Sequence, residues 1–78
     1  MNKHGFEDAL AFIKDGEKAY RKGWNGKDMW VRLTKHHRPM SMTTYKQLDY
    51  IEMKTADDSI VPWLASQTDI LANDWEMV

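Results

Sequence analysis

The dipeptide Asn25-Gly26 is the strongest local constraint on this chain. Both residues accept the positive φ that a tight turn needs, so the pair calls for a hairpin turning at Trp24-Asn25-Gly26, with strands as its arms. Beyond the turn, Met29 to Thr34 alternates, with Met29, Val31 and Leu33 on one face and Trp30, Arg32 and Thr34 on the other. A period of two predicts a strand with one buried face. Trp30 then stands on the opposite face, to pack against another subunit or to shield a ligand. Before the turn, Lys18 to Lys22 is the short incoming arm and carries Ala19 and Tyr20. Arg21, Lys22, Trp24 and Lys27 crowd the turn. A ring beside cations suits a stacked, negatively charged ligand such as a nucleotide, and a Trp beside a hairpin equally suits a core.

The rest of the chain supplies partners for that hairpin. Phe6, Leu10 and Ile13 recur at i, i+4 and i+7, and Ala9 and Phe12 widen the stripe, which predicts an amphipathic helix from Phe6 to Lys14. Glu7 and Asp8 suit its first turn and Gly16 its end. Tyr50 to Thr55 alternates again, Ala56-Asp57-Asp58-Ser59 supplies a turn, and Ile60-Val61 starts a return strand that Pro62 limits to an edge or an end. Ser66-Gln67-Thr68-Asp69 has the pattern of a capping box, opening a short helix to about Asn73. Asp74 to Val78 reads as a last strand with Trp75 and Met77 on one face; Trp75 and Leu71 are expected in the core. Lys35 to Asp49 has no period and reads as a loop with a turn of helix near Tyr45. Its His36-His37-Arg38 cluster suits phosphate or plain solvent exposure. The expected fold is α+β: a single small domain over 1–78, with an N-terminal helix packed on an antiparallel sheet of four to five strands and a short helix before the last strand.

Size narrows what such a domain can do. A chain of 78 residues buries only about 60% of the surface its unfolded form exposes. Small domains add disulfides, a metal or a partner subunit. With no Cys, disulfides and thiolate metal sites are excluded, and His4, His36 and His37 make no zinc pattern. Oligomerisation remains, and four Trp supply area for a core or for subunit contacts. A net charge of −1 is not the profile of a nucleic-acid binder. No apolar run approaches the roughly 18 residues of a membrane span, and the first residues lack the apolar core of a signal peptide, so the expected location is the cytoplasm.

No catalytic set stands out. Asp57, Asp58, Asp69 and Asp74 each have a turn, capping or pairing role available, the histidines lack a Ser/His/Asp context, and the four glycines are isolated. The reading is therefore a non-enzymatic binding module without metal or cofactor. Trp24, Trp63 and Tyr50 offer planes; Arg21, Lys22, Lys27 and Lys54 offer charge; Asn25, Ser66, Gln67 and Asn73 offer donors and acceptors. Asp69 suits a ribose hydroxyl.

Three blocks go further: Ala19-Tyr20-Arg21-Lys22-Gly23-Trp24-Asn25-Gly26-Lys27, Tyr50-Ile51-Glu52-Met53-Lys54-Thr55-Ala56-Asp57, and Val61-Pro62-Trp63-Leu64-Ala65-Ser66-Gln67-Thr68-Asp69-Ile70-Leu71-Ala72-Asn73-Asp74-Trp75-Glu76. Together they resemble the second type of Thoeris anti-defence protein, a family of small phage proteins, over nearly the whole chain. The resemblance implies a sponge that binds the cyclic ADP-ribose isomer signal (glycocyclic ADP-ribose) without cleaving it, in a homo-oligomer described as a tetramer with pockets between subunits. Some members also hold cyclic oligonucleotides. On matching positions it implies a pocket built from Trp24, Asn25, Trp63, Ser66, Gln67 and Asp69. Trp24 and Trp63 would enclose the ligand, Arg21 and Lys54 would meet pyrophosphate, and Asp69 a ribose hydroxyl. The departure is Lys35 to Asp49, where the family often carries a longer, Pro- and Gly-containing connection; it bears on which signal is held. Three other readings stand beside the sponge. One is sequestration of cyclic di- or trinucleotides. Another is a phosphodiesterase acting on the same signals through Asp-bound metal. The last is a structural module whose Trp residues serve only subunit contacts.

Overall fold

Helix α1 (Phe6–Lys14) forms where the apolar spacing places it, and it ends as its residues require. Gly16 takes φ +93°, its N–H donates to the Ile13 carbonyl at 2.9 Å, and the Glu17 N–H donates to Phe12 at 3.2 Å. This pair of bonds is a Schellman closure, which needs a residue at ease in the left-handed region. The computed structural model describes residues 4–24, 28–34 and 48–78. Asn25-Gly26 therefore lies outside the described residues, as does the expected turn of helix near Tyr45.

Five strands follow: β1 (Ala19–Arg21), β2 (Trp30–Thr34), β3 (Tyr50–Lys54), β4 (Ile60–Pro62) and β5 (Trp75–Met77). They form one antiparallel sheet in the order β4-β3-β2-β1-β5. The first four are laid down in sequence, and β5 returns across the domain to the free edge of β1. A short helix, α2 (Gln67–Leu71), precedes β5 and is capped by Ser66, whose Oγ accepts the Asp69 N–H at 3.1 Å.

The register sorts the side chains as the alternation predicts. Val31 lies across from Ala19 on one side and Met53 on the other, and Arg21 and Ala19 lie across from Trp75 and Met77. Ala19, Val31 and Trp75 join Ala9 and Ile13 of α1 in the fully buried core, with Leu33, Ile51, Met53 and Met77 packed around it. The opposite face carries Tyr20, Trp30, Arg32, Glu52 and Lys54, and among the described residues no element packs on it.

Trp75 is the largest buried side chain, 1% exposed. Its ring meets Phe6 at 5.5 Å, Trp24 at 5.4 Å and Trp63 at 5.9 Å between centroids, the two indoles nearly edge-on. Its indole N–H donates to the Asp69 carbonyl at 2.9 Å, and its backbone N–H donates to His4 at 3.1 Å.

Three expectations need correction. The first strand does not extend to Lys22; Lys22–Trp24 is a turn of 3-10 helix, because Asp74 draws in both the Lys22 N–H (to its carbonyl, 3.0 Å) and the Gly23 N–H (to its carboxylate, 2.8 Å). Helix α2 ends at Leu71 rather than near Asn73, with the Ala72 N–H turned back on Asp69. Leu71 is not core: it is 74% exposed, since a helix of five residues makes under two turns and this one buries none of its side chains.

Trp75→Ala should therefore remove about 3–5 kcal/mol, most of what a domain of this size holds, whereas Leu71→Ala should stay within about 0.5 kcal/mol. Urea denaturation of the two variants side by side measures the contrast.

Candidate functional site

Arg21 ends β1 on the core side of the sheet and there meets two carboxylates brought from the far end of the chain. Its Nε donates to Asp74 Oδ1 at 2.8 Å, its Nη2 to Asp74 Oδ2 at 3.4 Å, and its Nη1 to Asp69 Oδ1 at 2.9 Å. The Asp74 carboxylate also takes the Gly23 N–H. A Cβ at Gly23 would lie 3.0 Å from Asp74 Oδ2 and 3.1 Å from the Arg21 guanidinium, so the close approach favours glycine. Arg21 and the Gly23 N–H hold the Asp74 carboxyl below its usual range, against the burial that would raise it. The guanidinium in turn is held above its own usual value by hydrogen bonds first to Asp74 and then to Asp69. This polar knot fixes the turn that carries Trp24, whose ring leans edge-on against Trp75.

Beside the turn, a cavity of about 430 Å³ opens between the ends of β1 and β2. That size falls in the range of small-molecule pockets. Lys18, Tyr20 and Arg21 line it from the first strand and its approach, and Trp24 from the turn. Asp28, Met29 and Trp30 close it from the second arm, and Val78 from the end of the chain. Trp30 sits between cations: the Lys18 ammonium is 4.6 Å and the Arg32 guanidinium carbon 5.0 Å from its ring centroid. Arg32 also donates to Glu52 at 2.9 Å.

Arg21 and Trp24 are the expected site residues that line this cavity. Asp69 stands behind Arg21 as its ion-pair partner. Lys54 lies one strand away; its ammonium donates to the Asp28 carbonyl at 2.8 Å and carboxylate at 3.1 Å and pairs with Asp58 at 2.6 Å. Hydrogen bonds that its ammonium donates, first to Asp58 and then to Asp28, raise its pKa. Trp63 belongs to the aromatic cluster on the core side, 5.9 Å from both Phe6 and Trp75. Ser66 caps α2, and Gln67 is an exposed residue of its first turn. Asn25 lies outside the described residues.

Lys18, Tyr20, Asp28, Met29 and Val78 were not among the expected site residues, and Trp30 was expected only as a ring facing another subunit or a ligand. The signal for two of them was present: counting back across the hairpin from Val31 opposite Ala19 sets Tyr20 beside Trp30. Among the described residues no three His, Cys, Asp or Glu side chains gather to hold a metal ion, and no helix is long and apolar enough to cross a membrane.

Residues 4–78 match the family model of the Thoeris anti-defense 2-like domain. The chain is also similar to Thoeris anti-defense 2 of Bacillus phage SP01, with 39% identity over an alignment of 85 residues that covers 97% of this chain and 96% of that protein.

The Arg21–Asp74 pair gives a pH test. A carboxyl whose folded pKa is depressed stabilises the fold above its unfolded value, and that contribution is lost as pH falls through the folded one. Stability should therefore decline as pH drops below about 3.8, the ordinary Asp value. Asp74→Asn should cost about 1–3 kcal/mol at neutral pH and make the acid limb shallower. Urea midpoints measured across the acid range check both.

Proposed function

The chain belongs to the Thoeris anti-defense 2-like family, and from that premise we propose that it serves a phage against Thoeris defence by sequestering the cyclic ADP-ribose isomer signal and holding it intact. The cavity carries this reading: it sets Tyr20, Trp24 and Trp30 beside Lys18 and Arg21. A cyclic ADP-ribose isomer offers an adenine plane, two riboses and a pyrophosphate. Rings suit the first and cations the last. Arg21 has its charge offset by Asp69 and Asp74, whereas among the described residues Lys18 pairs with no carboxylate. Lys18 is thus the better placed cation for pyrophosphate, and Trp30 beside it the better placed plane.

Holding without cleaving agrees with the lining. Among the described residues its one side-chain carboxylate, Asp28, already accepts from Lys54, and the other side chains are rings, cations and apolar groups. Assembly into a homo-oligomer is part of the same proposal. Leu64 and Leu71, 93% and 74% exposed, offer apolar side chains for such a contact.

Calorimetric titration of the purified protein with glycocyclic ADP-ribose, followed by heat release and chromatography, tests the reading. Tight binding and an unaltered released ligand are expected. Trp30→Ala should weaken binding by about 1–3 kcal/mol, the range for one stacked base. An altered product would replace the sponge with a phosphodiesterase. Absence of binding to this ligand and to cyclic di- and trinucleotides would overturn sequestration.

A further inference from the structure

Two non-glycine residues, among those described, have positive φ: Asp28 at 57° and Asp58 at 68°. They stand in different connections, yet both reach the same ammonium. Lys54 lies across from Trp30 on one side and Ile60 on the other, so its stem runs beside the cavity's ring while its head reaches the end of the sheet. There it donates to both the carbonyl and the carboxylate of Asp28 and pairs with Asp58. The Lys54 side chain is 13% exposed, against 86% for Asp28 and 80% for Asp58.

The two acids have different surroundings. Asp58 sits in a turn with its own supports: the Thr55 N–H donates to Ser59 at 2.8 Å, the Asp58 N–H donates to Thr55 at 3.0 Å, and the Thr55 hydroxyl bonds Asp57. Asp28 is a wall of the cavity, next to Met29 and Trp30. A left-handed backbone at a residue other than glycine persists only where neighbours fix it. At Asp28 those neighbours include two bonds from one lysine.

We infer that Lys54 is a positioning residue for the cavity: anchored by Asp58, its ammonium holds Asp28 in place and so fixes the wall in front of Trp30. Lys54 thereby acts on a bound molecule through Asp28 rather than by touching it. Because both carboxylates are exposed, the latch is open to screening, and the wall loosens as salt rises. The effect on a ligand rests on the sequestration reading; the latch itself does not.

Asp58→Asn isolates the charge, because Asn tolerates the left-handed region as well as Asp does and the residue lies outside the cavity. In the ligand-free protein this variant should lower the backbone ¹⁵N order parameters of Asp28 and Met29 while those of β2 stay unchanged. Its dissociation of glycocyclic ADP-ribose should be about fivefold faster at low salt, the size of one partly screened ion pair, with the gap closing near 1 M salt. Lys54→Met should reproduce both effects at low salt, its gap from the wild type likewise narrowing as salt rises. Unchanged order parameters in both variants would overturn the latch. Lowered order parameters with unchanged dissociation would overturn its role in positioning. If the wild type binds no glycocyclic ADP-ribose, the sequestration reading fails by itself, and the order parameters still decide the latch.

Discussion

Burial of Trp75 is the interaction on which the other parts of the domain converge. Among the described residues the fully buried core is small: Ala9, Ile13, Ala19, Val31 and this one indole. Three of those side chains are alanine or valine, so a single large ring supplies much of the buried apolar area. The same ring ties the chain together in sequence. Its backbone N–H meets His4 near the start, its indole N–H meets α2, and its faces and edges meet Phe6, Trp24 and Trp63. Strand β5 therefore joins both the edge of the sheet and the centre of the core.

Polar bonds then decide where Trp24 sits. Arg21 lies across from Trp75 in the register, and its guanidinium gathers Asp69 and Asp74, residues on either side of the loop that leads into β5. A half-buried ion pair of this kind adds less net stability than its hydrogen-bond count suggests, because both partners were desolvated to make it. Its geometric effect is firmer. One Asp74 carboxylate receives the guanidinium and the Gly23 N–H, which leaves the 3-10 turn a single seating on the sheet. The fold divides accordingly: helices and aromatic cluster on one face, Tyr20, Trp30 and the charged row on the other, with Trp24 at the boundary.

Most of that architecture was legible in the sequence, because it rests on periodicities and on residues with singular backbone preferences. The alternation of Met29 to Thr34 correctly set Val31 inward and Trp30 outward, Gly16 marked the end of α1, and Ser66 marked the start of α2. What escaped was pairing at long range. Arg21 and Lys54 read as free cations for pyrophosphate, since a sequence displays charge without its partner; Arg21 finds its carboxylates 48 and 53 residues away. Local pattern also misled at Leu71, where an apolar residue in a helix looks inward until the helix proves too short to have an inside. The cavity was half legible: Arg21 and Trp24 were named from their chemistry and Trp30 from its outward face, while Tyr20 follows only from the cross-strand register.

The packing of Trp24, Trp63 and Trp75 has an optical consequence. With Trp75 within 6 Å of both others and each pair close to perpendicular, the three indoles share excited states rather than absorbing independently. The far-ultraviolet circular dichroism of so small a protein then carries an exciton signal beside its short helices. Helix content read from that spectrum would be distorted, and loss of the signal would report loss of the core. Trp24 also borders the cavity, so the same chromophore spans the core and the site.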